Sequence, residues 1–229
     1  MLVDLNWAAV GQIIMIDILL GGDNAVVIAL ACRNLPPAQR NKGIVLGTLG
    51  AIVLRVVLIA FAVSLLALPT LKIIGALLLI WIGIKLLLPD DDDGHDGLRG
   101  GNTLFDAVRT VIIADFVMSL DNVIGIAGAA ERADSDHRLG LVIFGLLVSI
   151  PIIVWGSRFI IGLIERQPWL IWFGGGLLGW IAGGMLVTDY WFEQRGMFVA
   201  GHWSWTASVF GAALVVLLAV LQKRRRASR

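Results

Sequence analysis

Two stretches of the sequence place acidic residues inside long apolar segments, and they are copies of one another. Residues 17–24 read DILLGGDN and residues 115–122 read DFVMSLDN, at an offset of 98 residues (115 − 17). An ionised aspartate near a bilayer centre costs roughly 2.5–3.5 kcal/mol, so four unpartnered ones would cost roughly 10–14 kcal/mol. A cation must offset that cost, and the simplest candidate is a transported metal ion.

The spacing within each copy limits how an ion could bind. On a regular helix Asp17 and Asn24 share one face, but they lie two turns and roughly 10 Å apart. Metal–oxygen bonds are only about 2.0–2.6 Å long, so a straight helix cannot chelate one ion through both residues. Either each motif helix supplies one ligand to a given ion, or the helix is broken between the two motif residues. Gly21 and Gly22 suit a break or close helix packing, whereas the second copy has Ser119 in this region.

The donor atoms narrow the choice of ion. Carboxylates, asparagine amides and the Ser119 hydroxyl are hard oxygen donors, which suit Mg, Ca or Mn. The Met118 thioether is either a soft ligand that disfavours Mg and Ca or a packing residue. Arg55 falls in the middle of the second apolar segment and also needs a partner. It pairs with a motif aspartate, forms another structural ion pair, or extends along a tilted helix to the membrane surface.

The composition predicts an all-α, polytopic membrane protein. Hydrophobic residues make up 58% of the chain and charged residues 15%, against about 25% charged in a typical soluble domain. Apolar runs near the length needed to cross a bilayer predict seven transmembrane helices, near residues 7–31, 43–67, 70–88, 105–130, 139–164, 168–188 and 205–222. These helices leave no room for a soluble catalytic domain, so we expect no enzyme and no catalytic residues. An intramembrane aspartyl protease is disfavoured because Leu20 stands where its signature requires glycine.

The duplication extends beyond the acidic motif. Three further residues recur at an offset of 99: Pro69, Gly75 and Trp81 correspond to Pro168, Gly174 and Trp180. We therefore divide a single membrane domain, residues 1–229, into repeat one (7–88), an acidic cytoplasmic linker (89–104), repeat two (105–188) and a seventh helix (205–222). Three helices per repeat predict that the second copy is inverted, a geometry in which many transporters build a midplane site. The linker is either a flexible connector or a loop that collects cations.

Basic residues predict the orientation. With the C-terminus inside, thirteen lysines and arginines fall on the cytoplasmic side and four outside, which favours an external N-terminus. The first segment lacks the basic start of a signal peptide and is expected to be retained. Cys32 is the only cysteine, so neither an intramolecular disulfide nor a cysteine metal cluster is expected.

At the doubled motif the chain resembles the TerC family of integral membrane proteins, within the group that includes lysine exporters and calcium/manganese exchangers. The resemblance covers about residues 7–222 and implies Mn(II) export, metal homeostasis and a historical link to tellurium resistance. It implies a multi-pass protein of the bacterial inner membrane, which is the plasma membrane. The ion site it implies consists of the motif acids with the asparagines beside them: Asp17, Asp23, Asn24, Asp115, Asp121 and Asn122.

The sequence thus predicts a secondary transporter that exports divalent metal ions, Mn(II) first among them, with protons as an expected counter-ion. No tightly bound cofactor is expected, because Mn(II) would be the transported substrate. The expected partners are the divalent ion and the lipid bilayer, with no nucleic acid; a homo-oligomer is left open. Export of a small cationic amino acid and a non-transporting scaffold in metal or tellurite stress remain as alternatives.

Overall fold

The chain is entirely helical in the part that the structure describes. A computed structural model describes residue 15 and residues 22–61, 70–88, 103–130, 138–193, 195 and 202–227, and no strand occurs among them. Seven main helices follow one another: α1 (Gly22–Cys32), α2 (Pro37–Ala60), α3 (Leu71–Leu87), α4 (Leu104–Ala130), α5 (Arg138–Arg166), α6 (Trp169–Val187) and α7 (His202–Ala227). A single helical turn, Tyr190–Glu193, lies between α6 and α7. The all-α prediction is confirmed.

The helices have the dimensions and surface of a multi-pass membrane protein. Four segments are long and apolar enough to cross a bilayer by length and composition: Pro37–Leu58, Val148–Arg166, Trp169–Phe192 and Trp203–Arg225. Large apolar side chains such as Val53, Phe159 and Leu217 point outward, whereas Arg55 and Asp115 are buried. This reverses the soluble pattern, since the surrounding solvent is lipid and the polar groups must find partners inside.

Most predicted helix boundaries agree with the structure, but the second helix begins six residues earlier than predicted, and its predicted end at residue 67 lies outside the described residues. The seventh helix is longer at both ends than the predicted 205–222. The first turn of α2 opens at Pro37, and the Pro36 carbonyl accepts hydrogen bonds from the backbone N–H groups of Gln39 and Arg40. Proline suits the first helical position because it has no N–H to leave unpaired there. The prediction placed this boundary by hydropathy, which the polar first turns of α2 obscure.

Helices α1 and α4, which carry the acidic motif, contribute to both of the main apolar cores. Val27 of α1 and Val117 of α4 belong to a core shared with α3 and α6. Ile28 of α1 and Val111 of α4 belong to a second core shared with α2 and α5. Apolar packing on both sides fixes the rotation of these two helices, and therefore the direction of the motif side chains.

The packing also crosses between the two predicted repeats. Gly75 of α3 lies against Val117 of α4, and the matching Gly174 of α6 lies against Leu30 of α1. Glycine permits this close approach because a Cβ at either position would overlap the facing side chain. Each motif helix is therefore held by a helix from the other half. These contacts agree with the predicted repeats, whose boundaries and inverted relation stay predictions.

Helix α7 closes the bundle through small residues. Gly179 and Gly183 of α6 face the backbone of Gly211 and Ala207 on α7, and a Cβ on either α6 glycine would overlap that backbone. Such contacts let two helix backbones approach closely, which stabilises association inside lipid. The seventh helix thus packs on α6, and its basic end continues to Ala227.

Candidate metal site

The second copy of the motif forms a closed group of polar side chains on α4. Asp115 is buried with 4% exposure, and its Oδ2 accepts a hydrogen bond of 3.0 Å from the Ser119 hydroxyl one turn further along. The helix runs without interruption from Leu104 to Ala130. The second copy of the motif is therefore unbroken, and the Asp115 carboxylate accepts a side-chain hydrogen bond from the same helix.

Arg55 of α2 completes this group. Its Nη2 lies 2.7 Å from Asp115 Oδ1, and its Nε donates a 3.2 Å hydrogen bond to Ser119 Oγ. The Arg55 side chain is only 3% exposed, so it pairs with a motif aspartate instead of extending to the membrane surface. A buried charge pair with additional hydrogen bonds is the arrangement that offsets the cost of desolvating both ions.

The first copy of the motif is more open. Asp23 of α1 is half-buried, and its Oδ1 accepts a 2.8 Å hydrogen bond from the backbone N–H of Asn24. Asp23 interacts electrostatically with both Arg55 and Asp115. The acids of the two motif helices, 92 residues apart in sequence (115 − 23), therefore share one electrostatic environment.

Asn24 is the residue whose polar groups are least satisfied. It is 5% exposed, and neither its Oδ1 nor its Nδ2 has a hydrogen-bond partner within the described part of the chain. Leaving a buried amide group unpaired costs about 1–3 kcal/mol, and such a group calls for an explanation such as an ion. An amide oxygen beside a carboxylate is the donor set that hard divalent cations accept.

Part of the predicted site lies outside the described residues. Asp17 and Gly21 belong to the segment before α1, which is outside the described residues. Asp121 and Asn122 lie on α4, but the structure does not describe their side chains. Among the described residues, no three His, Cys, Asp or Glu side chains gather as a metal cluster. The ligand roles of these residues, and of Asp23, Asn24 and Asp115, stay predictions.

Met118 and Gly22, two residues expected to support the site, lie in different surroundings. Met118 packs in the apolar core with Val27 and Leu178, as its packing interpretation expects. A Cβ on Gly22 would meet no described atom within 4 Å, so close packing does not explain this glycine in the described part of the chain. The predicted break at Gly21 and Gly22 falls at the edge of the description, where α1 is seen only from Gly22 onward.

Asp189 is a buried acid that lies just after the end of α6. It is fully buried, and its carboxylate accepts hydrogen bonds from four backbone N–H groups: those of Thr70, Lys72, Ile73 and Trp191, at 2.8–3.3 Å. Three of these donors lie at the start of α3, where helix N–H groups lack internal partners. Nothing in the sequence links position 189 to position 70, so only the tertiary fold reveals this cap.

The fold and these buried charges define a polytopic membrane protein whose polar residues meet inside a helical bundle. The family model described as "Integral membrane protein TerC family" matches residues 3–227, so the chain belongs to the TerC family.

Relatives of the chain are also membrane proteins. It is 44% identical over 190 residues to the "uncharacterized membrane protein YjbE" of Bacillus subtilis (strain 168), covering 83% of each chain. It is 28% identical over 178 residues to the "UPF0053 inner membrane protein YgdQ" of Escherichia coli (strain K12), covering 71% of this chain and 73% of that protein. No solved structure matches the chain.

Proposed function

We propose that this protein is a secondary transporter that exports divalent metal ions, with Mn(II) as the leading substrate. The ion binds between the two motif helices, to carboxylate and amide oxygens of the doubled motif. The observation that carries the proposal is the Asp23 carboxylate next to a buried Asn24 side-chain amide that has no partner in the described part of the chain, close to the Arg55–Asp115 pair. In a scaffold that only holds helices together, a buried amide without a partner would destabilise the fold and add nothing to the function.

Ligand chemistry supports a hard ion. Asp23 and Asn24 offer oxygen donors, and Met118 is engaged in the apolar core and adds no soft donor. Oxygen ligands alone admit Mn, Mg and Ca. The choice of Mn(II) and the link to tellurium resistance rest on the resemblance to the TerC family and its neighbouring exchangers.

We further propose the inner membrane of a bacterium, with the N-terminus outside and the C-terminus in the cytoplasm. One relative is named as an inner membrane protein. The last turns of α7 carry Lys223 and three following arginines, and Lys223 lies over the Trp172 ring at 5.7 Å. A basic helix end of this kind suits the cytoplasmic face, where anionic lipids and the positive-inside rule both favour it.

A second candidate is export of a cationic amino acid. The observation that favours it is the Arg55 guanidinium, which Asp115 and Ser119 bind inside the bundle. A site that holds one guanidinium could bind the guanidinium or ammonium group of a free amino acid in the same way. The small size of the Asp23–Asn24 group, in which the Asn24 side chain has no described partner, favours an ion over such a substrate.

The test is uptake into liposomes that contain the purified protein. Mn(II) entry is measured alone and in competition with Mg, Ca, Fe and Zn, and separately with labelled lysine and arginine. We expect Mn(II) entry well above protein-free liposomes, loss of entry in Asp23→Asn, and unchanged entry in Glu165→Gln. Glu165 is an exposed acid paired with Arg40, so its variant controls for charge removal outside the site. Uptake of amino acids without metals would favour the second candidate, and no uptake of either would refute transport.

A further inference from the structure

The buried partners of Asp115 have no equivalent in the other half of the molecule. The repeat offset places Gly21 opposite Ser119, and it places Ile153 and Val154 opposite Arg55. Ile153 lies in the apolar core, so α5 offers no cation where α2 offers Arg55. The motif is duplicated, but the position that corresponds to Arg55 in the second repeat is apolar.

We propose that Arg55 acts as a tethered cation that occupies the Asp115 position of α4, so that each chain carries one divalent ion at a time, at Asp23 and Asn24 of α1. This inference rests on the proposed function and refines it. The ion is held by Asp23 and Asn24, and Asp115 serves as the counter-charge of Arg55 rather than as a ligand while the pair is formed.

The geometry of Asp115 supports this division. One carboxylate oxygen faces the Arg55 guanidinium at 2.7 Å, and the other accepts the Ser119 hydroxyl at 3.0 Å. Because Arg55 also donates to Ser119, the three side chains form a closed ring. A divalent ion at bonding distance from Asp115 would lie directly beside the guanidinium charge, which repels it.

Asp23 and Asn24 of α1, which correspond to Asp121 and Asn122 of α4 at the repeat offset, have the opposite character to Asp115. The Asp23 carboxylate is half-buried and accepts a bond from the adjacent backbone N–H, and the Asn24 amide is buried without a described partner. Arg55 and Asp23 interact electrostatically. Oxygen donors with unsatisfied capacity in a buried setting are available to a cation in a way that the Asp115 oxygens are not.

The test counts bound Mn(II) ions per chain in purified, detergent-solubilised protein by equilibrium dialysis and elemental analysis. We expect one ion for the wild type and two for Arg55→Gln, which frees the Asp115–Ser119 half. Arg55→Lys keeps the charge and should hold one ion. Arg40→Gln, the loss of a half-buried cation that pairs with the exposed Glu165 near the start of the same helix, should also hold one. Asp23→Asn should weaken Mn(II) binding by at least about tenfold.

The outcomes separate this inference from the proposed function. A wild-type chain that binds two ions, or a folded Arg55→Gln protein that still binds one with unchanged affinity, overturns the tethered-cation role and leaves metal transport standing. A wild-type chain that binds no divalent ion defeats the proposed function itself. If Arg55→Gln elutes as an aggregate, the wild-type count and Arg55→Lys decide, since two ions in either would contradict the inference.

Discussion

Two buried aspartates of this protein are satisfied in different ways. Within the described part of the chain, Asp189, at one end of the bundle, accepts hydrogen bonds from backbone N–H groups alone, which the fold fixes in place. Asp115, in the interior, binds the side chains of Arg55 and Ser119. Backbone donors at a helix start cannot leave without unfolding that turn, whereas a side-chain cation can exchange with another cation. Burial alone therefore does not mark a functional acid, and the identity of its partners is more informative.

The largest effect is expected for Asp115→Ala. This variant leaves the Arg55 guanidinium buried without its counter-ion, which should lower the free energy of unfolding by about 3–5 kcal/mol. Thermal unfolding in detergent measures it. The double variant Arg55→Met/Asp115→Leu should recover most of the loss, because replacing a buried ion pair with apolar residues is often neutral or better. A single variant as stable as the wild type would show that the pair is not formed.

A smaller loss of stability is expected for Asp189→Ala, because its N–H partners at the start of α3 would lose their acceptor. Loss of a helix cap typically costs about 0.5–2 kcal/mol, and burial places this one at the upper end. Mn(II) transport by the surviving folded protein should match the wild type. Loss of transport at unchanged stability would instead place Asp189 in the transport site.

Asp23→Asn is expected to do the opposite of Asp189→Ala: it should keep the stability of the fold and lose transport. Its carboxylate is half-buried and makes one local bond to the Asn24 backbone, which an amide oxygen can also accept, so stability should change by less than about 1 kcal/mol. Transport should be lost because a neutral amide replaces an ion-binding charge. Paired measurements of melting temperature and Mn(II) uptake decide the point, and a variant that is unstable but still active would contradict it.

The smallest effect on stability is expected at Thr70, whose backbone N–H donates to Asp189 from a strained conformation. Thr70 has a φ of 70°, in the left-handed region that glycine adopts without a Cβ clash. Thr70→Gly keeps the backbone N–H that donates a hydrogen bond to Asp189. Because it removes the Cβ from a left-handed backbone, it should raise the free energy of unfolding by about 0.5–1 kcal/mol. A clear decrease in the melting temperature would argue that the Thr70 side chain itself contributes to the cap.

The sequence was most informative where one local pattern determines the outcome. Hydropathy predicted α6 at 168–188 against the observed Trp169–Val187, because an apolar segment between polar turns has little freedom in its placement. The doubled acids identified the two motif helices, and the isolated Arg55 charge predicted that a partner must exist inside the bundle.

Other features depend on contacts between distant segments and were not predictable in the same way. Arg55 had several available partners, and only the packing of α2 along α4 selects Asp115. The cap of α3 by Asp189 joins residues more than a hundred positions apart. The unsatisfied state of Asn24 depends on what surrounds it in three dimensions, which no local spacing specifies.

The most direct test of the account compares Mn(II) uptake by liposomes that contain wild-type protein, Asp23→Asn or Asp189→Asn, at equal amounts of folded protein. We expect uptake by the wild type and by Asp189→Asn, and none above background by Asp23→Asn. Equal uptake by the wild type and Asp23→Asn, or wild-type uptake no faster than that of empty liposomes, would contradict it.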